Sequence, residues 1–266
     1  MAVVERADHL GLELERQISE LEENEAGVRA GDAEALHKFR VATRRSRALL
    51  RPCPGVDELQ RELRWLAGLL GPVRDLDVLI EHVQALVEQL GSDRAGGEAI
   101  VAALEAQRSD ARTELMAALD SERYTKLLDR FRDDIALVGE NDRAHLVSLA
   151  RRELKRLQQA YAALGPNPPD DELHRVRIKA KRTRYAAELA GKPLTRLADA
   201  AKRLQDTIGV HQDAVVAEER VRQVAKGRSL LAAGRIVERE HERRREVRAG
   251  LPKVWKRLER AAAKTF

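Results

Sequence analysis

The sequence predicts an all-α protein of long helices, built as two helical bundles related by a pseudo-two-fold axis; if the bundles face each other, basic helices from both line one groove or channel. Three observations carry this expectation. Charged residues make up 35% of the 266 residues and aromatic residues only 3%, a balance typical of long helices rather than sheets. Leucines recur at three- and four-residue steps, and no run alternates β-branched or aromatic residues with polar ones. A distinctive basic helix is also written twice, half a chain apart.

Residues 3 to 29 read as an amphipathic helix with Leu10, Leu14, Ile18 and Leu21 on its inner face. It is acidic, since residues 1–36 carry ten Asp/Glu against three Arg. Gly31-Asp32 ends it, and Asp32 is a good cap for the next helix. That helix is basic and stops at Pro52-Cys53-Pro54-Gly55, a strong breaker. Asp57 to Leu70 predicts a third helix with Leu59, Leu63, Leu66 and Leu70 inward, Gly71-Pro72 a turn, and Arg74 to Leu90 a fourth helix closed by Gly91. One long helix or two shorter ones cover 94–138. Gly139-Glu140-Asn141-Asp142 divides the chain into halves 1–139 and 140–266.

The second half repeats the plan. A helix over 143–164 leads to the turn Gly165-Pro166-Asn167-Pro168-Pro169, then a basic helix from Asp171 to Ala190. After Gly191-Lys192-Pro193 come a helix over 194–208, a break at Gly209, a helix over 211–226 and a long basic helix towards Lys264. Residues 220–266 hold fifteen Lys/Arg against five Glu. Leu63, Leu66 and Leu70 are answered by Ala201, Leu204 and Ile208. The period is too long for a solenoid, so a duplicated bundle is the natural reading.

The two basic helices carry the chemistry. At 100° per residue, His37, Arg40, Arg44, Arg47 and Arg51 form one stripe, and Leu36, Phe39, Ala42, Ser46, Leu49 and Leu50 lie opposite. No acid falls between His37 and Arg51. In the repeat, His174, Arg177, Lys181 and Arg184 make the stripe, with Leu173, Val176, Ala180, Thr183 and Ala187 opposite. Ordinary exposed helices mix signs to gain i,i+4 pairs, whereas these ladders repel themselves until an anion answers them. Cations one turn apart, roughly 5 Å, suit a linear polyanion, and guanidinium groups bind phosphate oxygens bidentately.

Arg45 and Arg182 sit at the stripe edges and could face acids on a neighbouring helix instead. Arg51 has no basic counterpart, because Glu188 takes its place. Arg64 and Lys202 recur on the following helix and could extend the site. Arg74 is a weaker candidate because it aligns with Gln212, and Asp75 and Asp213 are read as caps or arginine holders. His82, His211 and His241 are read as surface residues. The candidate binding set is therefore His37, Arg40, Arg44, Arg45, Arg47, Arg51, Arg64, His174, Arg177, Lys181, Arg182, Arg184 and Lys202.

Other classes find little support. Cys53 is the only cysteine, so no internal disulfide is possible. The N-terminus has no apolar signal core, and no window approaches ~18 apolar residues, which predicts a soluble cytoplasmic protein with no membrane contact. Glycine-rich phosphate loops, Gly-x-Ser-x-Gly and paired-cysteine metal motifs are missing, and no nucleophile–base pair adjoins the stripes. The expectation is no catalysis and no cofactor, with a metal-dependent phosphate-processing enzyme as the lesser alternative. Glu34-x-x-His37 and Asp171-x-x-His174 share the spacing of di-iron bundles, but the neighbouring arginines would repel a metal cation. Glu34 is more simply a first-turn acid favoured by the helix dipole. Nucleic acid is the alternative polyanion. The charge allows it, yet no aromatic residue interleaves the stripes to stack on bases.

The motifs His37-x-x-Arg40-x-x-x-Arg44-Arg45-x-Arg47 and His174-x-x-Arg177-x-x-x-Lys181-Arg182-x-Arg184 resemble the conserved histidine α-helical domain, the CHAD family. So do Leu66-x-x-x-Leu70-Gly71-x-x-Arg74-Asp75 and Leu204-Gln205-Asp206-x-Ile208-Gly209-x-x-Gln212-Asp213. The resemblance spans nearly the whole chain. It implies two four-helix halves around a basic channel that binds inorganic polyphosphate, and an association with polyphosphate granules. Some members sit beside triphosphate-processing domains; none is expected within these 266 residues. Gln212 departs from the pattern, where the first half has Arg74.

Overall fold

A computed structural model describes residues 9–51, 53–135 and 143–266 of the chain. Among these residues every long element is helical and no strand occurs: α1 His9–Ala30, α2 Ala33–Leu50, α3 Asp57–Val87, α4 Arg94–Leu119, α5 Glu122–Ile135, α6 Arg143–Ala162, α7 Asp170–Ala190, α8 Thr195–Val224 and α9 Leu230–Ala263. The expected start of the first helix, the break at 139–142 and the half boundary lie outside the described residues.

The all-α class and most boundaries agree with the sequence reading. Gly31 has φ +90°, a left-handed backbone that suits glycine. Asp32 then accepts hydrogen bonds from the backbone N–H groups of Glu34 and Ala35, satisfying donors the first turn leaves open. Gly191, φ +79°, closes α7. Residues 94–135 form two helices rather than one.

Two expected breaks do not occur. Gly71-Pro72 lies within α3, and Gly209 lies within α8. Pro72 is exposed, so the helix runs through it at the cost of one N–H and some crowding of the Gly68 carbonyl one turn back. At Gly209 the reason is a neighbour: an added Cβ would lie 3.4 Å from Arg177 Nε. The glycine makes room for a guanidinium and does not end a helix.

The chain forms two compact units, Met1–His82 with Val101–Asn141, and Val83–Ile100 with Asp142–Phe266. In the first unit α1, α2 and α5 pack together. Their buried faces include Leu14 and Leu21, Phe39 and Leu50, and Leu127 and Phe131, with Leu59, Leu63, Leu66 and Leu70 buried on α3. Phe39 lies 6.5 Å from Tyr124 between ring centroids. In the second unit α6 to α9 share one core around Leu154, Leu157, Leu197, Leu204, Ile208 and Leu258. Trp255 stacks on Tyr161 at 3.7 Å. The end of α3 and start of α4 belong here: Arg235 of α9 donates to the Leu90 carbonyl at 2.6 Å and to Asp93 at 2.7 Å.

The repeat is visible in burial. Leu36, Phe39, Thr43, Ser46, Leu49 and Leu50 are buried on α2, and Leu173, Val176, Ala180, Thr183, Ala186 and Ala187 are buried at the matching positions of α7. Ser46 and Thr183 each donate their hydroxyl to the carbonyl four residues back. That bond satisfies a buried polar group without any outside partner. Both stripes are thereby held in the same phase.

Candidate functional site

The stripe of each unit lies along the seam between its basic helix and the next one. In the first unit that seam is α2 against α3. Arg40 Nη2 donates to Asp75 Oδ1 at 3.0 Å, so Asp75 holds an arginine, as its place in the sequence suggests. Arg64 lies close enough to Arg47 for its charge to act there. Burial and the Arg64 charge both depress the Arg47 pKa, so Arg64 extends the stripe. Arg44 Nε is a buried N–H with no hydrogen-bond acceptor. Arg51, just past the end of α2, is exposed. Arg45 Nε is 3.4 Å from Glu13 of α1, so this edge residue faces an acid on its neighbour.

His37 is exposed beside a group of cations. Its pKa lies below the ordinary histidine value, first through partial burial and then through Arg74, with Arg44 and Arg40 adding to the effect and Glu34 opposing it. The free protein therefore favours neutral imidazole here. The same interaction puts Arg74 at the site, a residue the sequence ranks low because its repeat partner is Gln212. The helical spacing Gly-x-x-Arg-Asp, which puts Arg74 beside Asp75, was the available signal.

In the second unit the seam is α7 against α8, and corresponding positions meet again. His174 Nδ1 is 3.1 Å from Gln212 Oε1. Thus positions 74 and 212 both face the stripe histidine, one with a cation and the other with an amide. Arg177 lies over Gly209, and its Nε is buried without an acceptor. Arg184 is 3.0 Å from Glu188 and donates to Gln205 at 3.3 Å. Lys181 and Arg184 both stand over the Tyr185 ring, at 5.9 and 4.6 Å from its centroid, contacts that favour cations near an aromatic face. Arg182 is half-buried. Lys202 is exposed and pairs with Asp206 at 2.6 Å. Periodicity could not reveal Gln205 and Tyr185, because their contacts depend on side-chain reach.

One expectation fails. His211 is fully buried, not a surface residue. Arg248 Nε donates to His211 Nε2 at 3.0 Å, and the same guanidinium donates to Asn167 Oδ1, the Pro168 carbonyl and Asp170 Oδ1. Burial is the main cause lowering the His211 pKa, followed by Arg248. His241 is half-buried and lies 3.0 Å from Glu218, so it too is engaged rather than freely exposed. This polar cluster ties α9 to the loop that starts α7, which fixes the first turn of the second stripe.

Among the described residues, no group of three His, Cys, Asp or Glu is placed to hold a metal ion. Among them also, no helix is long and apolar enough to cross a membrane. The arrangement offers guanidinium, ammonium and imidazole donors in a row, with exposed acids holding some of them.

The family model for the CHAD domain matches residues 13–222. Two Mycobacterium tuberculosis proteins, the uncharacterized proteins MT2285 of strain CDC 1551 / Oshkosh and Rv2226 of strain ATCC 25618 / H37Rv, are each 30% identical over 286 residues. These matches cover 97% of this chain and 54% of each relative. The chain thus spans about half the length of the curated relatives it matches. Among solved structures, the crystal structure of the CHAD domain from the plant Ricinus communis has a TM-score of 0.68 and 25% identity, covering 100% of this chain and 94% of that one. PptA from Streptomyces chartreusis has a TM-score of 0.74 and 21% identity, covering 93% of this chain and 98% of that one; that likeness concerns the fold.

Proposed function

This chain belongs to the CHAD domain family, and on that premise we propose that it binds inorganic polyphosphate, without catalysis, through the stripes of α2 and α7. One observation carries the reading: the same ladder of cations recurs in the same phase over the same buried pattern, with Arg44 Nε and Arg177 Nε left as buried donors without acceptors. A buried donor left unpaired costs about 1–3 kcal/mol. Such a cost is understandable where an anionic ligand approaches. A phosphate chain carries charge all along its length and can answer one cation per helical turn. Histidine adds a donor whose charge responds to the ligand.

The noncatalytic part of the proposal rests on residue types. Beside the stripes stand cations, histidines and amides, and the carboxylates of Asp75, Glu188 and Asp206 are engaged with Arg40, Arg184 and Lys202. A binding module of this kind would hold the protein at polyphosphate granules in the cytoplasm.

The test is Arg40→Ala combined with Arg177→Ala. Charge-assisted hydrogen bonds contribute about 1.5–3 kcal/mol each, so long-chain polyphosphate affinity is expected to fall roughly a hundredfold or more while far-ultraviolet circular dichroism is unchanged. Wild-type binding should weaken with salt as counterions are released. Unchanged affinity in the double variant would remove these helices from the site. Equal affinity for duplex DNA at equal phosphate concentration would remove polyphosphate as the preferred ligand.

A further inference from the structure

The C-terminal part of α9 carries a second cationic ladder that the stripes do not use. The pairing of charges along α9 changes sharply after Arg248. Before that point its arginines are answered: Arg235 by Asp93, Arg239 by Glu242, Arg243 by Glu240, Arg244 by Glu218 and Asp170, Arg245 by Glu238 and Arg248 by Asp170. Beyond it, Lys253, Lys256, Arg257, Arg260 and Lys264 are exposed, and none lies within 4 Å of a carboxylate among the described residues. Their spacings of three and four place them on one face, opposite the buried Leu251, Trp255, Leu258 and Ala262. Lys253, Lys256, Arg257 and Arg260 line a shallow cleft with Ala249 and Pro252.

Like charges three and four residues apart destabilise a helix. The helix dipole offsets this only in the last turn, which covers Arg260 and Lys264 but not Lys253, Lys256 or Arg257. Ala249 and Pro252 are too small to insert into a lipid bilayer, which counts against a membrane-binding helix face. Trp255 is buried, so the face offers no ring for base stacking. What the face does present is a row of charge about 16 Å long.

We propose that the exposed face of α9 from Lys253 to Lys264 is a second polyphosphate-binding track, used by chains long enough to occupy it as well as a stripe. The inference rests on the polyphosphate reading of the stripes and deepens it. Short oligophosphates occupy the stripes, while long chains gain from simultaneous engagement, an effective-concentration effect that needs no change at the first site.

The experiment uses the full chain with Lys253, Lys256, Arg257 and Arg260 all changed to Gln. Binding of tripolyphosphate, long-chain polyphosphate and duplex DNA is measured across a salt series, beside the Arg40→Ala/Arg177→Ala variant. The expected result is unchanged tripolyphosphate affinity, long-chain affinity lowered at least tenfold, and a salt slope for long chains shallower by about 2–4. The four positions are exposed, so the fold is expected to hold, and thermal unfolding checks that. Long-chain affinity and salt slope equal to wild type overturn the α9 track and leave the stripes standing. Long-chain binding lost in the Gln variant but kept in the stripe variant overturns the stripe assignment, and with it the shared engagement of stripe and track. Loss confined to duplex DNA overturns the track as a polyphosphate site, and no polyphosphate binding by the wild-type chain overturns both readings.

Discussion

Polyphosphate binding should pull a proton onto His37. In the free protein, partial burial and the cations Arg74, Arg44 and Arg40 hold this ring below the ordinary histidine range. A bound phosphate chain reverses that balance. Because His37 is exposed, the dielectric of water is the right one to use. One phosphate charge about 4 Å from the ring then favours imidazolium by about 1 kcal/mol, or roughly fivefold in affinity. Two such charges give roughly 25-fold. The linkage sign follows: the complex binds more protons than the free protein, so affinity rises as pH falls. The change is confined between the depressed pKa of the free protein and the higher one of the complex, with a slope of at most about one decade per pH unit for one histidine. Calorimetry near pH 6.5 in buffers of different ionisation enthalpy counts the protons. Net uptake is expected in the wild type, and less of it in His37→Gln. Equal uptake by the two proteins, or proton release in the wild type, would refute the placement of the ligand beside His37.

Three further outcomes are expected. Pro72→Ala should stabilise the protein by about 2–3 kcal/mol in urea unfolding, because proline costs about 3 kcal/mol inside a helix, less up to about 1 kcal/mol for the freer unfolded chain; a loss of stability would mean that the proline serves the local geometry. Burial holds the His211 pKa down, so the unfolded state takes up its proton first. Stability should be level above about pH 6.5 and fall as pH drops below it. In His211→Gln, which can still accept from Arg248, the difference between pH 7.5 and 5.5 should shrink, and an undiminished difference would clear His211. Gln212→Arg restores the cation found at position 74 and should raise polyphosphate affinity a few-fold while steepening the salt slope by about one; weaker binding would show that the amide holding His174 matters more than the charge.

The parts legible in the sequence were those set by local periodicity. The buried faces of α2 and α7 follow from helical spacing alone, because their hydrophobic residues sit at positions that only a helix brings to one side. The Asp32 cap was equally local. Gly71-Pro72 and Gly209 misled for a different reason. Glycine and proline weaken a helix, but packing of Leu66, Leu70, Val73 and Leu76 on α3 outweighs one lost N–H, and Gly209 answers to Arg177 on another helix. His211 was illegible because its partner Arg248 is 37 residues away. A single histidine in an amphipathic pattern gives no sign of whether it meets water or a guanidinium. Arg74 is hard to read from the repeat because its counterpart is Gln212, and the two units are free to fill the same position differently.

Two ion pairs at the stripes are open to solvent, which bears on how these cations can work. Arg40 and Asp75 have side-chain exposures of 29% and 65%, and Lys202 and Asp206 have 57% and 48%. Pairs this open contribute at most about 1 kcal/mol each, so they orient a cation without locking it. Under the proposed function, a polyphosphate chain would replace the carboxylate at little cost. The Arg248 cluster is the opposite case: it is half-buried, binds four acceptors and shares Asp170 with Arg244. It is built to stay, and it anchors the first turn of α7. The division between loosely held cations on the seams and firmly held ones behind them is what a charged binding surface needs, since the ladder must be exposed to its ligand while the helix carrying it keeps its phase.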